Sequence, residues 1–278
     1  MRGEARAGMG QVARRRMSRR TFLSATAAGG GLLLTGGIGS VVRAIAPTPA
    51  ATDAPWFEAT ILQLRQQILT GSLTSEDLTR AYLRRIEELN PLLGAVIETN
   101  PEAIATARVR DAERRSGRDR GVLHGIPILV KDNILTEDQT DSAAGSLALV
   151  GVRVTEDAPV VERLRANGAI ILGKTNLSEW ANFRGFLPAD FPFETNFLNG
   201  WSGRGGFTYN PYLLSFDPCG SSSGSGVAPA VNMAAAAIGT ETDGSIVCPA
   251  TANGVVGIKP TVGLTSRAGV VPIAHSQD

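Results

Sequence analysis

Histidine, cysteine and lysine are scarce in this chain of 278 residues, and each scarcity limits what the protein can be. Two cysteines exclude a scaffold built on many disulfide bonds. The two histidines and two cysteines show no ligand spacing, so a zinc site built by the protein alone would be short of ligands. Acid–base chemistry based on histidine would have to use His124 or His275.

Positive and negative side chains almost cancel, with 27 Lys and Arg against 26 Asp and Glu, and the net charge of +1 gives no electrostatic case for nucleic acid. A hydrophobic content of 43% is ordinary for a globular chain with a sizeable core. Nearly all the basic residues are arginine, because the only lysines are Lys131, Lys174 and Lys259. Each of them lies in an apolar or glycine-bearing stretch, which a lysine on a solvated surface would not need.

Residues 1–46 have the layout of a signal peptide. A basic stretch ends in SRRTFL at 18–23, an uncharged run rich in Gly and Ala follows, and AIA at 44–46 is a small-x-small cleavage site. The paired arginines resemble the twin-arginine type, which implies recognition by that export machinery, a periplasmic or secreted protein, and no stable membrane anchor after cleavage. An uncleaved membrane helix is the alternative, although six glycines weaken it. Residues 47–55 are predicted to be a linker.

Apolar residues recur at helical spacing in the region that follows the linker. The first predicted helix ends at Gly71, and the second runs from residue 74 or 75 to about 89, where Asn90-Pro91 stops it. Asn100-Pro101-Glu102 is a start signal for a third helix. The exposed faces are rich in Arg and Glu, which is typical of a solvated surface, and no function is assigned to this helical region.

Short apolar runs at 126–130, 169–172 and 255–258 then predict strands, with a helix at 158–167 between the first two. A strand, a helix and a strand with glycine between them favour an α/β fold with parallel pairing. Residues 199–226 are polar, rich in glycine and without a period, which indicates a segment that is either functional or disordered.

Two short motifs have alternatives to the chemistry that their patterns suggest. GAIILGKT at 168–175 fits the nucleotide-binding P-loop pattern, but its middle residues are themselves the strand candidate, which favours a structural role for Lys174. GSSSG at 220–224 fits the α/β-hydrolase pattern with Ser222 as nucleophile. The turn-like residues before it are not a strand, and His275 is the only later histidine, so this is the less favoured alternative.

A third group of segments fits serine chemistry with a lysine base. Lys131 follows an apolar run, and burial would lower its pKa so that a neutral amine could activate a serine. The serine-rich loop at 220–226 supplies hydroxyls, and the glycine-rich turn before Ser245 can aim backbone N–H groups at an oxyanion. Structural alternatives stay open, since Lys131 could pair with Asp132 and each serine segment could be a tight turn or a helix cap.

These segments together resemble the amidase signature family. The resemblance is carried by GIPILVKDNI, by the block from CGSSSGS to GTETDGSIVCPA, and by GKTNLSEWANFRG, and within the family it is strongest to bacterial peptide amidases. It covers residues 56–278 and implies an α/β fold: a mixed, mainly parallel sheet flanked by helices, with N-terminal helices at 56–118 and an incomplete catalytic core at 119–278. Ser223 and Asp243 depart from the commoner family pattern, which has glycine at both positions.

The resemblance implies a site of three side chains, with Ser245 as nucleophile, Lys131 as base and Ser221, on a cis peptide bond, as the bridge between them. The backbone N–H groups of Thr242, Asp243, Gly244 and Ser245 would form the oxyanion hole. The implied reaction is hydrolysis of a peptide amide or another small amide to acid and ammonia, without a metal or cofactor. A truncated, non-catalytic homologue is the alternative from another functional class.

Three further expectations concern the end of the chain, an insertion and the two cysteines. The chain is expected to stop within the family fold, so that the 278 residues alone are unstable or inactive because their sheet has an open edge and an uncovered face. Residues 185–200, rich in Phe and Pro, look like an insertion, either near the substrate entrance or without a role. Cys219 and Cys248 flank the two serine segments, and a disulfide between them after export is the alternative, but free thiols are favoured because folding would precede export.

Overall fold

The computed structural model of the protein describes residues 54–183 and 199–278. The predicted signal peptide, nearly all of the linker and most of the 185–200 insertion therefore lie outside the described residues. The helices are α1 (Ile61–Thr70), α2 (Ser75–Leu93), α3 (Ala103–Arg115), α4 (Pro159–Ala166), α5 (Ser223–Ala230) and α6 (Val247–Ala252). The strands are β1 (Val96–Thr99), β2 (Pro127–Lys131), β3 (Ile170–Thr175), β4 (Trp201–Ser202), β5 (Gly206–Phe207) and β6 (Ala237–Ile238).

The N-terminal helices begin and end largely where local chemistry predicts. Thr60 and Gln63 form a capping box at the start of α1, and Gly71 ends the helix in the left-handed conformation at φ 77°. The predicted end of α2 at Asn90-Pro91 is wrong, because the helix continues through Pro91 to Leu93. A proline removes only its own N–H, and Gly94 closes the last turn by donating to the Asn90 carbonyl at 2.8 Å.

Four strands form the central sheet in the order β1-β3-β2-β6. β2 pairs in parallel with both β3 and β6, and β1 pairs antiparallel with β3. The helix α4 connects β2 to β3, as the strand–helix–strand pattern predicts. The α/β fold class, with a mixed and mainly parallel sheet flanked by helices, is confirmed.

The pairing of β2 with β3 decides which way the two buried lysines point. Val130 lies opposite Lys174, and Lys131 lies opposite Thr175. Opposite residues share a face of the sheet and successive residues alternate, so Lys131 and Lys174 point to opposite faces. The Thr175 hydroxyl on the Lys131 face is 2.6 Å from the Ser225 hydroxyl of α5, which identifies the helix that covers this side.

The predicted strand at 255–258 is wrong. Val255 N–H donates to the Ala250 carbonyl at 3.0 Å, so this segment leaves the end of α6 as irregular chain. Val256 and Ile258 are 88% and 77% exposed. An apolar run becomes a strand only where a neighbouring strand pairs with it, and within residues 54–183 and 199–278 this run has none.

No helix in the described part of the chain is both long enough and apolar enough to cross a lipid bilayer.

Candidate active site

Lys131 is the last residue of β2, a strand in which all five residues are buried. The lysine itself is 0% exposed. Burial lowers its pKa to about 7, because the charged ammonium is poorly solvated there, while the nearby negative charge of Glu241 raises the pKa and opposes part of this effect. A large fraction of the amine is therefore neutral near pH 7, which is the form that a general base requires.

Three hydroxyl groups surround the Lys131 amine. Nζ donates to Oγ of Ser221 at 2.8 Å, to Oγ of Ser222 at 2.9 Å and to Oγ1 of Thr240 at 2.9 Å. An ammonium has three N–H bonds and can satisfy all three oxygens, whereas a neutral amine has two and one lone pair. Loss of one proton from Lys131 therefore turns a lone pair towards one of these hydroxyls.

The hydrogen bonds of Ser222 and Thr240 determine which hydroxyl the Lys131 lone pair faces. Ser222 Oγ donates its own proton to the Thr240 carbonyl at 3.1 Å, so it can only accept from Lys131. Thr240 Oγ1 already accepts from Asn133 Nδ2 at 3.0 Å, and it can accept a second hydrogen from the lysine. When both residues accept, the lone pair faces the hydroxyl of Ser221.

Close packing of α5 brings the serine loop to this lysine. Gly224 N–H donates to the Asn176 carbonyl at 2.9 Å, just beyond the end of β3. A Cβ added at Gly224 would lie 2.1 Å from the Ala95 carbonyl oxygen and 2.7 Å from backbone atoms of Asn176, so only glycine permits this approach. The Gly220–Ser221 peptide bond before the helix is cis, as the resemblance implies.

Ser245 lies beside the serine loop, joined to it through the backbone. The Ser222 N–H donates to the Ser245 carbonyl at 3.1 Å, and Ser245 is 8% exposed. Its hydroxyl makes no hydrogen bond within residues 54–183 and 199–278, so Lys131 and Ser221 are in direct contact whereas Ser245 is a neighbour through its main chain.

The turn that carries Ser245 is held by one carboxylate. Glu241 accepts from the N–H groups of Gly244 at 2.9 Å, Ile246 at 2.7 Å and Val247 at 2.9 Å. The predicted oxyanion donors are therefore not equivalent, since the Gly244 amide is already engaged. The N–H groups of Thr242, Asp243 and Ser245 donate to no acceptor in the part of the chain that the structure describes.

The expectation of free thiols is wrong. Cys219 and Cys248 form a disulfide bond, with their Cα atoms 5.8 Å apart. The backbone hydrogen bond between Ser222 and Ser245 explains this, because it aligns the two serine segments and brings the flanking cysteines within the range that a disulfide spans.

The P-loop pattern at 168–175 and the α/β-hydrolase pattern at 220–224 both have structural explanations. Ile170–Thr175 is strand β3, so the middle of the P-loop pattern is a strand, and Lys174 donates to the Ile134 carbonyl at 2.6 Å and to Ser142 Oγ at 2.8 Å. Burial lowers the pKa of Lys174 to about 8. Residues 208–221, directly before Ser222, form no strand, and the Ser222 hydroxyl contacts Lys131 and Thr240 rather than a histidine.

Several residues at the site were not identified from the sequence. The Thr240 hydroxyl accepts from Lys131 and from the Asn133 amide. Arg204 pairs with Asp132 at 2.6 Å. Asp132 is thus not the partner of Lys131, and burial raises the pKa of its carboxyl to about 6. Asn133 lies in the turn that follows β2, where no side-chain period applies. Arg204 lies in a loop that has no period either, so no sequence pattern marks either residue.

A cleft of about 680 Å³ opens beside Ser222 and Thr240, two of the hydroxyl partners of Lys131. Its lining also includes polar Thr242 and apolar Ile134, Ile238 and Val270. Among the described residues, no group of three or more His, Cys, Asp or Glu side chains is arranged to hold a metal ion.

Known proteins are similar to this chain in sequence. A family model described as Amidase matches residues 77–278. A probable amidase of Arabidopsis thaliana is 52% identical over 223 residues, which are 80% of this chain and 42% of that protein. One subunit of the glutamyl-tRNA(Gln) amidotransferase of Symbiobacterium thermophilum is 41% identical over 78% of this chain and 42% of that protein.

Among solved structures, the native peptide amidase from Stenotrophomonas maltophilia is similar, with a TM-score of 0.74 and 57% identity over 79% of this chain and 44% of that chain. The chain thus spans less than half the length of these relatives.

Proposed function

This chain belongs to the amidase family, and from that premise we propose that the protein hydrolyses the C–N bond of a carboxamide, releasing a carboxylic acid and ammonia. The observation that carries the proposal is the contact of 2.8 Å between the buried amine of Lys131 and the hydroxyl of Ser221, with the Ser245 backbone joined to the same loop. A buried lysine against a serine hydroxyl suits proton transfer, since its pKa of about 7 keeps much of the amine neutral.

The proposed mechanism uses Ser245 as nucleophile, Ser221 as relay and Lys131 as base. The Lys131 lone pair takes the proton of Ser221 while Ser221 takes that of Ser245, whose oxygen bonds to the amide carbon. Collapse of the tetrahedral intermediate breaks the C–N bond, and the relay returns the proton to the leaving nitrogen as ammonia. Water then attacks the acyl-enzyme by the same relay and releases the acid. Rotation of the Ser245 hydroxyl towards Ser221 is required for the first step.

The oxyanion of that intermediate needs N–H donors that are not already bonded. The amides of Thr242, Asp243 and Ser245 meet this condition in the described residues, whereas that of Gly244 is bonded to Glu241. We therefore assign the proposed oxyanion hole to these three amides.

Peptides with a C-terminal carboxamide are the proposed substrate class. The support is the 57% identity to the Stenotrophomonas maltophilia peptide amidase.

Export is proposed from residues 1–46 alone, with the twin-arginine machinery as the partner. A fusion of these residues to a reporter that is active only after folding in the cytoplasm should appear in the periplasm. Replacing Arg19 and Arg20 by lysine should keep it in the cytoplasm, and export of that variant would contradict the assignment.

The experiment that tests the activity is ammonia release from peptide amides, aryl amides and aliphatic amides, using the product of the complete reading frame that encodes these residues. Ser245→Ala should abolish turnover and Lys131→Ala should nearly do so, whereas Ser222→Ala should retain the reaction. Loss of activity only in Ser222→Ala would favour the α/β-hydrolase alternative. Ammonia release from no amide, by a folded protein, would favour the non-catalytic homologue.

A further inference from the structure

The carboxylate of Glu241 is the most heavily used acceptor in the turn before Ser245. Its Oε1 atom accepts from the Gly244 amide, and its Oε2 atom accepts from the amides of Ile246 and Val247. Three bonds to one ionised group are stronger than bonds to a neutral acceptor, and they connect residues on both sides of Ser245. The conformation of the turn therefore depends on this side chain.

The Ser245 amide lies between two amides that are bonded to Glu241. Glu241 engages the N–H groups of Gly244 and Ile246, which flank Ser245, while the N–H of Ser245 itself stays unbonded within the described residues. The amides of Thr242 and Asp243 are unbonded there as well. The carboxylate thus engages the amides on both sides of Ser245 and leaves the amide of Ser245 itself unbonded.

We propose that Glu241 is a positioning residue for the proposed hydrolysis: its carboxylate fixes the Ser245 turn so that the amides of Thr242, Asp243 and Ser245 are free for the oxyanion. The proposal rests on the proposed function, because it gives these amides their task. In this role Glu241 acts through the shape of the turn.

The charge of Glu241 has a second effect, on the base. It is the one charged group that raises the pKa of Lys131 against the effect of burial. Other charged groups near the two elements are Asp132, which pairs with Arg204, Lys174, which points to the opposite face of the sheet, Asp278, which accepts from the Thr242 hydroxyl, and Asp243, an exposed residue of the same turn. Removal of the Glu241 charge should therefore make Lys131 easier to deprotonate.

The test compares Glu241→Gln and Glu241→Ala with the parent protein in two measurements. Hydrogen exchange measured by mass spectrometry on peptides covering 242–248 should be faster in Glu241→Ala by about tenfold or more, because three amides lose their acceptor. In Glu241→Ala the value of kcat should also fall by about 100-fold, which is the effect of one misplaced oxyanion donor, and KM should change much less. In Glu241→Gln, the rising limb of the pH–rate profile should move to lower pH by about half a unit.

Asp111→Asn is the matched control, since the Asp111 carboxylate also accepts two backbone amides, those of Ser75 and Glu76, in the N-terminal helices. It should leave both the exchange at 242–248 and the pH limb unchanged. Unchanged exchange in Glu241→Ala, or an unmoved pH limb in Glu241→Gln, would overturn the inference. Absence of ammonia release by the parent protein would instead overturn the proposed function, and the exchange measurement would still decide whether Glu241 holds the turn.

Discussion

The amine of Lys131 is confined to a small space among hydroxyl groups, and this confinement determines its chemistry. An arginine at this position would keep its charge and could not act as a base. A lysine gives up its proton at a pKa of about 7 because the surroundings solvate the ammonium poorly. The scarcity of histidine in the chain is thus compatible with proton transfer near neutral pH.

The rate of amide hydrolysis should therefore rise with pH through a midpoint of about 7, since only the neutral amine of Lys131 can accept a proton. The measurement is kcat/KM for a peptide amide as a function of pH. Lys131→Met should lose activity by about 100-fold or more, because it removes the base and keeps the apolar stem.

Lys259→Met is the control for this series, because Lys259 donates to the Pro260 carbonyl at 3.2 Å and, within the described residues, to neither Lys131 nor its hydroxyl partners. Its profile should match that of the parent. A profile without a rising limb near pH 7 in the parent protein would contradict the assignment of Lys131 as base.

At the scale of elements, the two serine segments are joined by a backbone hydrogen bond and by a covalent bond. The Ser222–Ser245 backbone hydrogen bond joins them at the centre, and the Cys219–Cys248 disulfide joins them just outside. Cys248 is exposed at the start of α6, so a reductant in solution can reach the bond.

The disulfide should be detected as an absence of free thiol in the denatured protein, and as two thiols after reduction. Replacing both cysteines by serine should lower the free energy of unfolding by about 2–4 kcal/mol, because the unfolded chain is no longer closed into a loop. Urea denaturation of the two proteins measures the difference. Two thiols titrating in unreduced, denatured protein would contradict this pairing of Cys219 with Cys248.

Apart from the end of α2, elements determined by local sequence were predictable, and those determined by partners were not. The capping box at Thr60 and the apolar run before Lys131 act within a few residues, and the predicted helix and strand are present. Whether residues 255–258 form a strand depends on a neighbour, and the pairing of Cys219 with Cys248 depends on contacts between distant segments. The role of Glu241 depends on a turn conformation that no periodicity reveals.

At the scale of the whole molecule, the sheet exposes its β6 edge. β6 has two residues and pairs only with β2 in the described part of the chain, and the apolar residues Val256, Ile258 and Leu264 nearby are more than two-thirds exposed. These features agree with the expected open edge and uncovered face. Whether the 278 residues alone are unstable or inactive stays a prediction.

The stability of the molecule should increase with pH between about 8 and 9.5. The folded pKa values of Lys131 and Lys174, about 7 and about 8, lie below the ordinary value of 10.5 that applies to the unfolded chain. The unfolded state therefore binds more protons in this range, and raising the pH favours the folded state by about 1 kcal/mol per pH unit for each lysine.

Urea unfolding at a series of pH values in that range measures this slope, and Lys174→Met should show about half of it because one of the two lysines no longer titrates. The range ends below the region in which Tyr82, whose pKa is raised by burial, would add an opposite dependence. A stability that falls with pH between 8 and 9.5 would contradict the burial of both amines.

The disulfide also closes the segment 219–248, whose ends are 29 positions apart in sequence, into a covalent ring. Ser221, Ser222, Thr240, Glu241 and Ser245 all lie inside the ring, whereas Lys131 lies outside it on the sheet. A protease that cuts one peptide bond within the ring therefore separates no part of the serine machinery from the rest. Such a nicked protein would migrate as one species in a denaturing gel until it is reduced, and only then as two.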